Sequence, residues 1–314
     1  MKPNRYKYLF GPVPSRRLGV SLGVDLVPHK TCTLNCIYCE SGSTSNLTIE
    51  PGILVPTEAV NGELDMFLTE RPQLDFITFS GSGEPTLHSG LAKIVDHLKT
   101  EYPEYKLALL TNGTLFFTPG LIEKVQKLDV IIPSLDAASP EMFRKVNRPH
   151  PKLEIGKIIM GLIQLRNQYS GKLWLEIFIV PGLNDSDEQV NQIRAAVHQI
   201  KPDIIQLNTL DRPGSEKWVV PASREQLEHI ARQLDWKTSI VSNLVSKVGV
   251  QTSQNDFEQA ILQTIKRRPC TAKDLSLTFG IHLQQVKNHL HRLLDKNSIS
   301  TERLERGIFY KIKD

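Results

Sequence analysis

Three of the four cysteines, Cys32, Cys36 and Cys39, fall within eight residues, while Cys270 stands alone. Disulfides belong to oxidising compartments and mostly to small secreted domains, whereas clustered cysteines in a long chain point to metal or redox chemistry. The segment Thr31-Cys32-Thr33-Leu34-Asn35-Cys36-Ile37-Tyr38-Cys39 is open to three chemistries. The first is a structural zinc site, closed as a Cys3His tetrahedron by His29. The second is a redox pair, Cys36 and Cys39, in which a low-pKa thiolate attacks disulfides. The third is an iron-sulfur cluster. A four-iron cube takes one thiolate per iron, so three cysteines leave one iron open to a substrate or cofactor.

Further polar residues stand where strands should end. Gly81-Ser82-Gly83-Glu84-Pro85 contains a fragment of a dinucleotide fingerprint, but Pro85 and Leu87 occupy the positions where such a loop needs freedom and a helix start. Asn112-Gly113 makes a turn, and Asp136 and Ser139 are candidate caps for a following helix. The pair Arg16-Arg17 suits an anionic group of a substrate, and Arg212 follows a strand at a place that faces substrate or cofactor. Cys270 reads as an inert, buried residue, and His282, His289 and His291 lack the carboxylate or thiol companions of a metal site.

The elements that must position these groups alternate. Short β-rich runs are expected at residues 20–27, 74–80, 107–111, 130–135, 173–180 and 204–207, with amphipathic helices between them. Ser139 before Pro140 and Glu141, and Ser186 three residues before Gln189, are helix starts. Ile155, Ile158, Ile159 and Leu162 recur at helical spacing. Alternation of this kind implies an α/β fold with a parallel sheet, open or curled into a barrel, whose chemistry gathers at the carboxyl ends of the strands.

The pattern changes at the polar connector Gln251-Thr252-Ser253-Gln254-Asn255, which divides the chain into residues 1–250 and 251–314. In the second part Phe257, Ala260, Ile261 and Ile265 mark one helix, and Thr271 with Asp274 caps a second that stops near Gly280. A third helix over residues 282–295 buries Leu283, Val286, Leu290 and Leu293 and exposes Gln285, Asn288 and Arg292. Two strands, 299–304 and 308–312, follow around Glu305-Arg306-Gly307. Three helices and a hairpin are the order of a small α+β winged helix-turn-helix domain.

Composition supports a folded chain: 314 residues, 40% hydrophobic and 23% charged, carry a core without staples. The net +4 resides wholly in residues 251–314, with eleven Lys and Arg against seven Asp and Glu, and the first 250 residues are balanced. Lys287, Arg292, Arg303 and Arg306 are placed to meet phosphates, and the domain suits a protein or peptide, or self-association, equally. The run from Leu173 to Leu183 contains Glu176 and Pro181, so no membrane span is expected. Asp25, Pro28, His29 and Lys30 interrupt any apolar region behind Arg16-Arg17, which argues against twin-arginine export and for a cytoplasmic protein.

The Cys-x3-Cys-x2-Cys spacing, with Tyr38 before the last cysteine, resembles the signature of the radical S-adenosylmethionine (radical SAM) superfamily. Gly81-Ser82-Gly83-Glu84-Pro85 resembles that superfamily's Gly-Gly-Glu element, with Ser82 at the middle position. The strand ends Thr111-Asn112-Gly113, Ser134-Leu135-Asp136 and Val180-Pro181-Gly182-Leu183-Asn184 resemble its cofactor-lining loops. Residues 11–19, leading into the cysteine segment, are similar to a subgroup related to wyosine-base synthases. That synthase holds a second cluster on three further cysteines, and Cys270 alone cannot supply one.

The resemblance implies a partial (β/α)6 barrel over about residues 10–240, followed by the winged domain. It implies a [4Fe-4S] cluster on Cys32, Cys36 and Cys39, with S-adenosylmethionine chelated by the open iron. An electron from an external donor such as flavodoxin or ferredoxin cleaves the sulfonium, and the radical formed abstracts hydrogen from a substrate. Gly83 and Glu84 are expected at the methionine end, Asn112, Ser134 and Asp136 at its carboxylate or the ribose, and Tyr38 near the adenine through its backbone. The winged domain then presents a tRNA, protein or peptide substrate. Alternatives are an iron-sulfur redox sensor that binds DNA, and an activase of a glycyl-radical partner, which the Pro181-Gly182-Leu183-Asn184 loop resembles.

Overall fold

The computed structural model describes residues 6–241, 254–304 and 306–313. Two strands, β1 (Leu9–Ser15) and β2 (Gly19–Val24), form an antiparallel hairpin, followed by the short bridge of β3 (Thr31–Cys32) with β4 (Asn46–Leu47). Alternation then begins: α1 (Thr57–Leu68), β5 (Phe76–Phe79), α2 (Leu91–Glu101), β6 (Leu107–Thr111), α3 (Leu121–Lys124) and β7 (Val130–Pro133). It continues through α4 (Pro140–Asn147), α5 (Ile155–Gln168), β8 (Lys172–Ile179), α6 (Asp187–Ile200), β9 (Ile204–Thr209), α7 (Arg224–Gln233) and β10 (Thr238–Ile240).

The sheet order is β1-β2-β5-β6-β7-β8-β9-β10, with every pair from β2 onward parallel. Each parallel strand therefore lies beside the next in sequence, the order of a singly wound sheet. Among the described residues β1 and β10 are its two edges and do not pair with one another, so the sheet is open. Alternation along β8 sends Leu173, Leu175, Ile177 and Ile179 into the helix-covered core. Trp174 joins Leu18, Ala108, Val130 and Ile132 on the opposite face, and Glu176 shares that face by the same period.

All six expected strands form, with ends shifted by up to three residues. The edges β1 and β10 were not expected. Pro12 and Pro14 break the strand pattern of β1 but are tolerated at an edge, where no ladder bond is needed on one side. In β10 three half-buried residues are too few to show a period. Ser139 and Ser186 cap α4 and α6 as their spacing requires, through Met142 N–H and Gln189 N–H.

The chain resumes in α8 (Gln254–Arg267), β11 (Cys270–Thr271), α9 (Ala272–Phe279), α10 (Leu283–Asp295), β12 (Ile299–Leu304) and β13 (Gly307–Ile312), with a sheet ordered β11-β13-β12. Phe257, Ile261, Ile265, Leu275, Val286, Leu290 and Leu293 build a core separate from the first. Thr271 and Asp274 form the capping box, and Gly280 ends α9 with a positive φ of 64°. Leu283 corrects the expected buried face of α10: it lies at the first helical position, exposed, and His289 is buried instead. Residues 251–253 of the connector, with the division after residue 250, and Glu305 of the hairpin turn lie outside the described residues.

The second unit packs on both sides of the first. Arg212, after β9, donates to the Pro269 carbonyl at 2.7 Å and to Asp274 at 2.8 Å. Arg306 pairs with Asp211 and Asp274. On the β1 side, Arg267 donates to the Lys7 carbonyl at 3.2 Å and lies over the Phe10 ring.

Candidate functional site

The cysteine segment is held at the carboxyl ends of the strands by backbone bonds from several elements. Lys30 takes a left-handed conformation, φ 59°, with its N–H on the Ser82 carbonyl after β5. Its own carbonyl accepts from Ser45 and Asn46. Asn35 N–H and Ile37 N–H reach carbonyls of Asn147 and Val146 at the end of α4. From beyond β9, the Ser215 hydroxyl donates to the carbonyls of Cys36 and Ile37, and Glu216 N–H donates to Ile37. A Cβ on Gly83 would lie 2.0 Å from the Thr31 carbonyl oxygen, so only glycine lets β5 approach the segment this closely.

Each of the three sulfurs receives one side-chain N–H. Lys30 Nζ lies 3.1 Å from Cys39 Sγ, Asn112 Nδ2 3.5 Å from Cys32 Sγ and Asn147 Nδ2 3.4 Å from Cys36 Sγ. Lys30 is 4% exposed, so its ammonium acts on Cys39 with little screening by water. Burial, reinforced by Glu84, pushes the Cys32 thiol up to about 12; burial and Asp136 push Cys36 well above its ordinary value. A redox dithiol draws on a depressed thiol pKa, and that of Cys36 is raised instead. His29 does not close a zinc site. Its ring lines a separate cleft of about 510 Å³ with Lys266 and Arg267, and among the described residues no three His, Cys, Asp or Glu groups converge on one ion.

Two buried carboxylates organise the strand ends around the thiols. Glu84 accepts from the Thr86 N–H and hydroxyl, from the Thr111 hydroxyl at 2.7 Å and from Asn112 N–H at 2.7 Å. Burial nevertheless raises its pKa. Asn112 in turn donates to Thr33 at 2.7 Å and accepts from Thr114. Asp136 accepts from Tyr38 through one oxygen, together with Asn147 at 2.7 Å, and from Phe178 N–H through the other at 2.9 Å. Its pKa is raised by burial against these bonds.

These contacts revise several expectations. Asp136 does not cap α4, because its oxygens are taken up by β8 and the cysteine segment, and Ser139 caps instead. The Tyr38 hydroxyl is engaged by Asp136, and its ring stacks on Phe178 with centroids 3.8 Å apart, so more than its backbone is in use. Ser134 is half-buried and shares a narrow cavity with Asn112 and Asp136. Arg212 is turned into the second unit, donating to the Pro269 carbonyl and Asp274. Arg292 and Arg306 are held by Glu258 and by Asp211 with Asp274, whereas Lys287 and Arg303 remain exposed. Lys30, Asn147 and Ser215 were missed. Lys30 adjoins the segment but follows no spacing rule, and the other two lie more than a hundred residues away.

A sequence profile described as the radical SAM superfamily matches residues 26–192, a span containing all three clustered cysteines, Glu84, Asn112 and Asp136. The chain belongs to the radical SAM superfamily. It is 31% identical to a UPF0026 protein of Helicobacter pylori over 96% of each chain. It is 32% identical, over 98% of its own length, to a protein of Brachyspira hyodysenteriae named GTPase Obg, of which it spans 45%. The solved structure of TYW1 with a lysine-pyruvate adduct bound superposes with a TM-score of 0.52 over 72% of this chain and 75% of that one, at 17% identity, a likeness of fold.

The superfamily uses a [4Fe-4S] cluster and S-adenosylmethionine. The donor set here fits such a cluster. Three cysteine sulfurs within eight residues, each met by its own side-chain N–H donor, suit a cube whose irons take separate thiolates.

Proposed function

We propose that the chain is a radical SAM enzyme in which Cys32, Cys36 and Cys39 hold the cluster and the loops after β5, β6 and β7 receive S-adenosylmethionine. The observation that carries this reading is the separate N–H donor on each of the three half-buried cysteine sulfurs. When bound, the two groups supply one-electron reductive cleavage of a sulfonium and abstraction of a hydrogen atom from substrate. The thiols would have to be deprotonated to ligate iron, their protons leaving to solvent, and the N–H donors would stabilise the charge left on sulfur. Glu84 fixes the Asn112 backbone and the Thr111 hydroxyl, leaving one of its oxygens with spare acceptor capacity toward the methionine ammonium. Gly83, Asn112, Ser134, Asp136 and Tyr38 shape the rest of that site.

Residues 251–314 serve in this reading as a winged helix that presents substrate, a tRNA, protein or peptide. Its Arg292 and Arg306 are held in internal ion pairs, which leaves less positive charge for a DNA duplex and favours the enzyme over a DNA-binding sensor. A flavodoxin or ferredoxin is the expected electron source, and a reducing cytoplasm suits a chain with four free cysteines.

The test is the electron paramagnetic resonance spectrum of the reconstituted, dithionite-reduced protein. Binding of S-adenosylmethionine at an open iron changes the reduced signal. An unchanged signal at saturating S-adenosylmethionine would sink the proposal.

A further inference from the structure

The loop after β9 is laid directly on the backbone of Cys36, Ile37 and Tyr38. A Cβ on Gly214 would lie 3.0 Å from the Tyr38 carbonyl oxygen, the Ser215 hydroxyl donates to the carbonyls of Cys36 and Ile37, and Glu216 N–H donates to Ile37 at 3.0 Å. A turn closed by Val219 N–H on the Glu216 carbonyl then buries Val219 and leaves Trp218 and Val220 in solvent, 56% and 55% exposed. Large apolar side chains exposed close together mark a place of contact, and Trp is among the residues that most often carry one.

The end of α4 borders the same stretch. Asn147 Nδ2 lies 3.4 Å from Cys36 Sγ, and Arg148, the next residue, pairs with Glu216 of the loop. Arg144 precedes Arg148 by one helical turn, Lys152 follows it, and Lys217 adjoins Trp218. Arg144, Lys152 and Lys217 are exposed and, among the described residues, have no ion pair. Residues 141–157 and 214–220 together hold six Lys and Arg against three Asp and Glu, a local +3 within the 250 residues that carry no net charge.

We propose that this surface, Trp218 and Val220 rimmed by Arg144, Arg148, Lys152 and Lys217, docks an acidic one-electron carrier protein. The proposal rests on the enzyme reading above and gives its electron a point of entry. One electron leaves the reduced carrier and enters the cluster held by Cys32, Cys36 and Cys39, and no bond forms or breaks between the two proteins. The way in is short, because the rim residue Arg148 is the chain neighbour of the amide that touches Cys36. A carrier must bind briefly and leave, which suits a small patch with an apolar centre and a charged rim. Opposite charge speeds the encounter and makes it sensitive to salt.

The probes are an oxidised flavodoxin and an oxidised ferredoxin, both acidic, titrated calorimetrically into the full chain. The chain is taken as wild type, as Trp218→Ala and as the double variant Arg144→Glu with Lys152→Glu. At least one carrier is expected to bind wild type at low salt and to weaken about tenfold at high salt, and each variant weakens it about tenfold. Stopped-flow reduction of the reconstituted cluster by the reduced carrier falls in parallel, while photoreduced deazariboflavin, a small uncharged donor, checks that each variant holds an intact cluster. Binding of neither carrier, or binding that both variants leave unchanged, would overturn the proposal. So would bulk tRNA that binds in place of a carrier and is lost in the double variant, or a dimer of the chain that Trp218→Ala dissociates. 5′-Deoxyadenosine formed with deazariboflavin while no carrier binds removes the docking surface alone. A carrier bound at this surface with no 5′-deoxyadenosine from any donor removes the enzyme reading alone.

Discussion

At Cys39 the sulfur meets a buried ammonium 3.1 Å away, while Cys32 and Cys36 meet neutral amides at 3.5 and 3.4 Å. Positive charge near a cluster and hydrogen bonds to its sulfurs both raise its reduction potential. Lys30→Met therefore keeps the cluster but shifts its midpoint potential to a more negative value, as a redox titration followed by paramagnetic resonance would read. At Glu84 a second consequence follows. Glu84→Gln puts an amide NH2 among donors from Thr86, Thr111 and Asn112, so one buried donor loses its acceptor at about 1–3 kcal/mol. Urea unfolding of the apo variant should show that loss, and the reconstituted variant should cleave S-adenosylmethionine more slowly. The cysteines and Glu84 were legible because their types and spacing are local. Asn147 was not, since only the fold brings it to Cys36 from 111 residues away.

Elements show the same division. The inner strands of the first sheet carry continuous apolar runs covered by helices, and such runs stand out in a sequence. The edge strand β1 carries prolines and half-exposed residues, and its existence depends on pairing with β2. In the second unit the start of α9 was readable from Thr271 and Asp274, but the link between α8 and α10 was not. That link is Glu258, which accepts from Arg292 at 2.9 Å and Lys296 at 2.8 Å and is thereby held down to about 2. A folded-state pKa below the usual carboxylate value contributes stability above pH 4–5, and that contribution is lost as the pH falls through the folded value. Glu258→Gln should melt below wild type at pH 7, with the difference shrinking from about pH 4.5 downward and gone near pH 2. A gap that stays constant over that range would show that the ion pairs contribute nothing.

For the whole molecule, the open sheet leaves two edges, and the second unit is tied near both: to Lys7 and Phe10 on the β1 side and to Asp211 and Arg212 beyond β9. Arg212 is 6% exposed and faces Asp274, Asp211 and Glu40. Removing one partner of a buried ion pair strands the others, so Arg212→Met should cost about 3–5 kcal/mol in urea unfolding of the full chain. A loss under about 1 kcal/mol would mean that the units are held together elsewhere. This junction escaped the sequence because Arg212 pairs with residues some sixty positions away, beyond the reach of any local pattern. The central claim is that these parts together perform reductive cleavage at the cysteine segment. Its most direct test is anaerobic reconstitution with iron and sulfide, reduction with dithionite, and assay of 5′-deoxyadenosine and methionine after S-adenosylmethionine is added. The account predicts both products in wild type and neither in Cys36→Ala. A wild-type protein with a full four-iron cluster and no 5′-deoxyadenosine would contradict it.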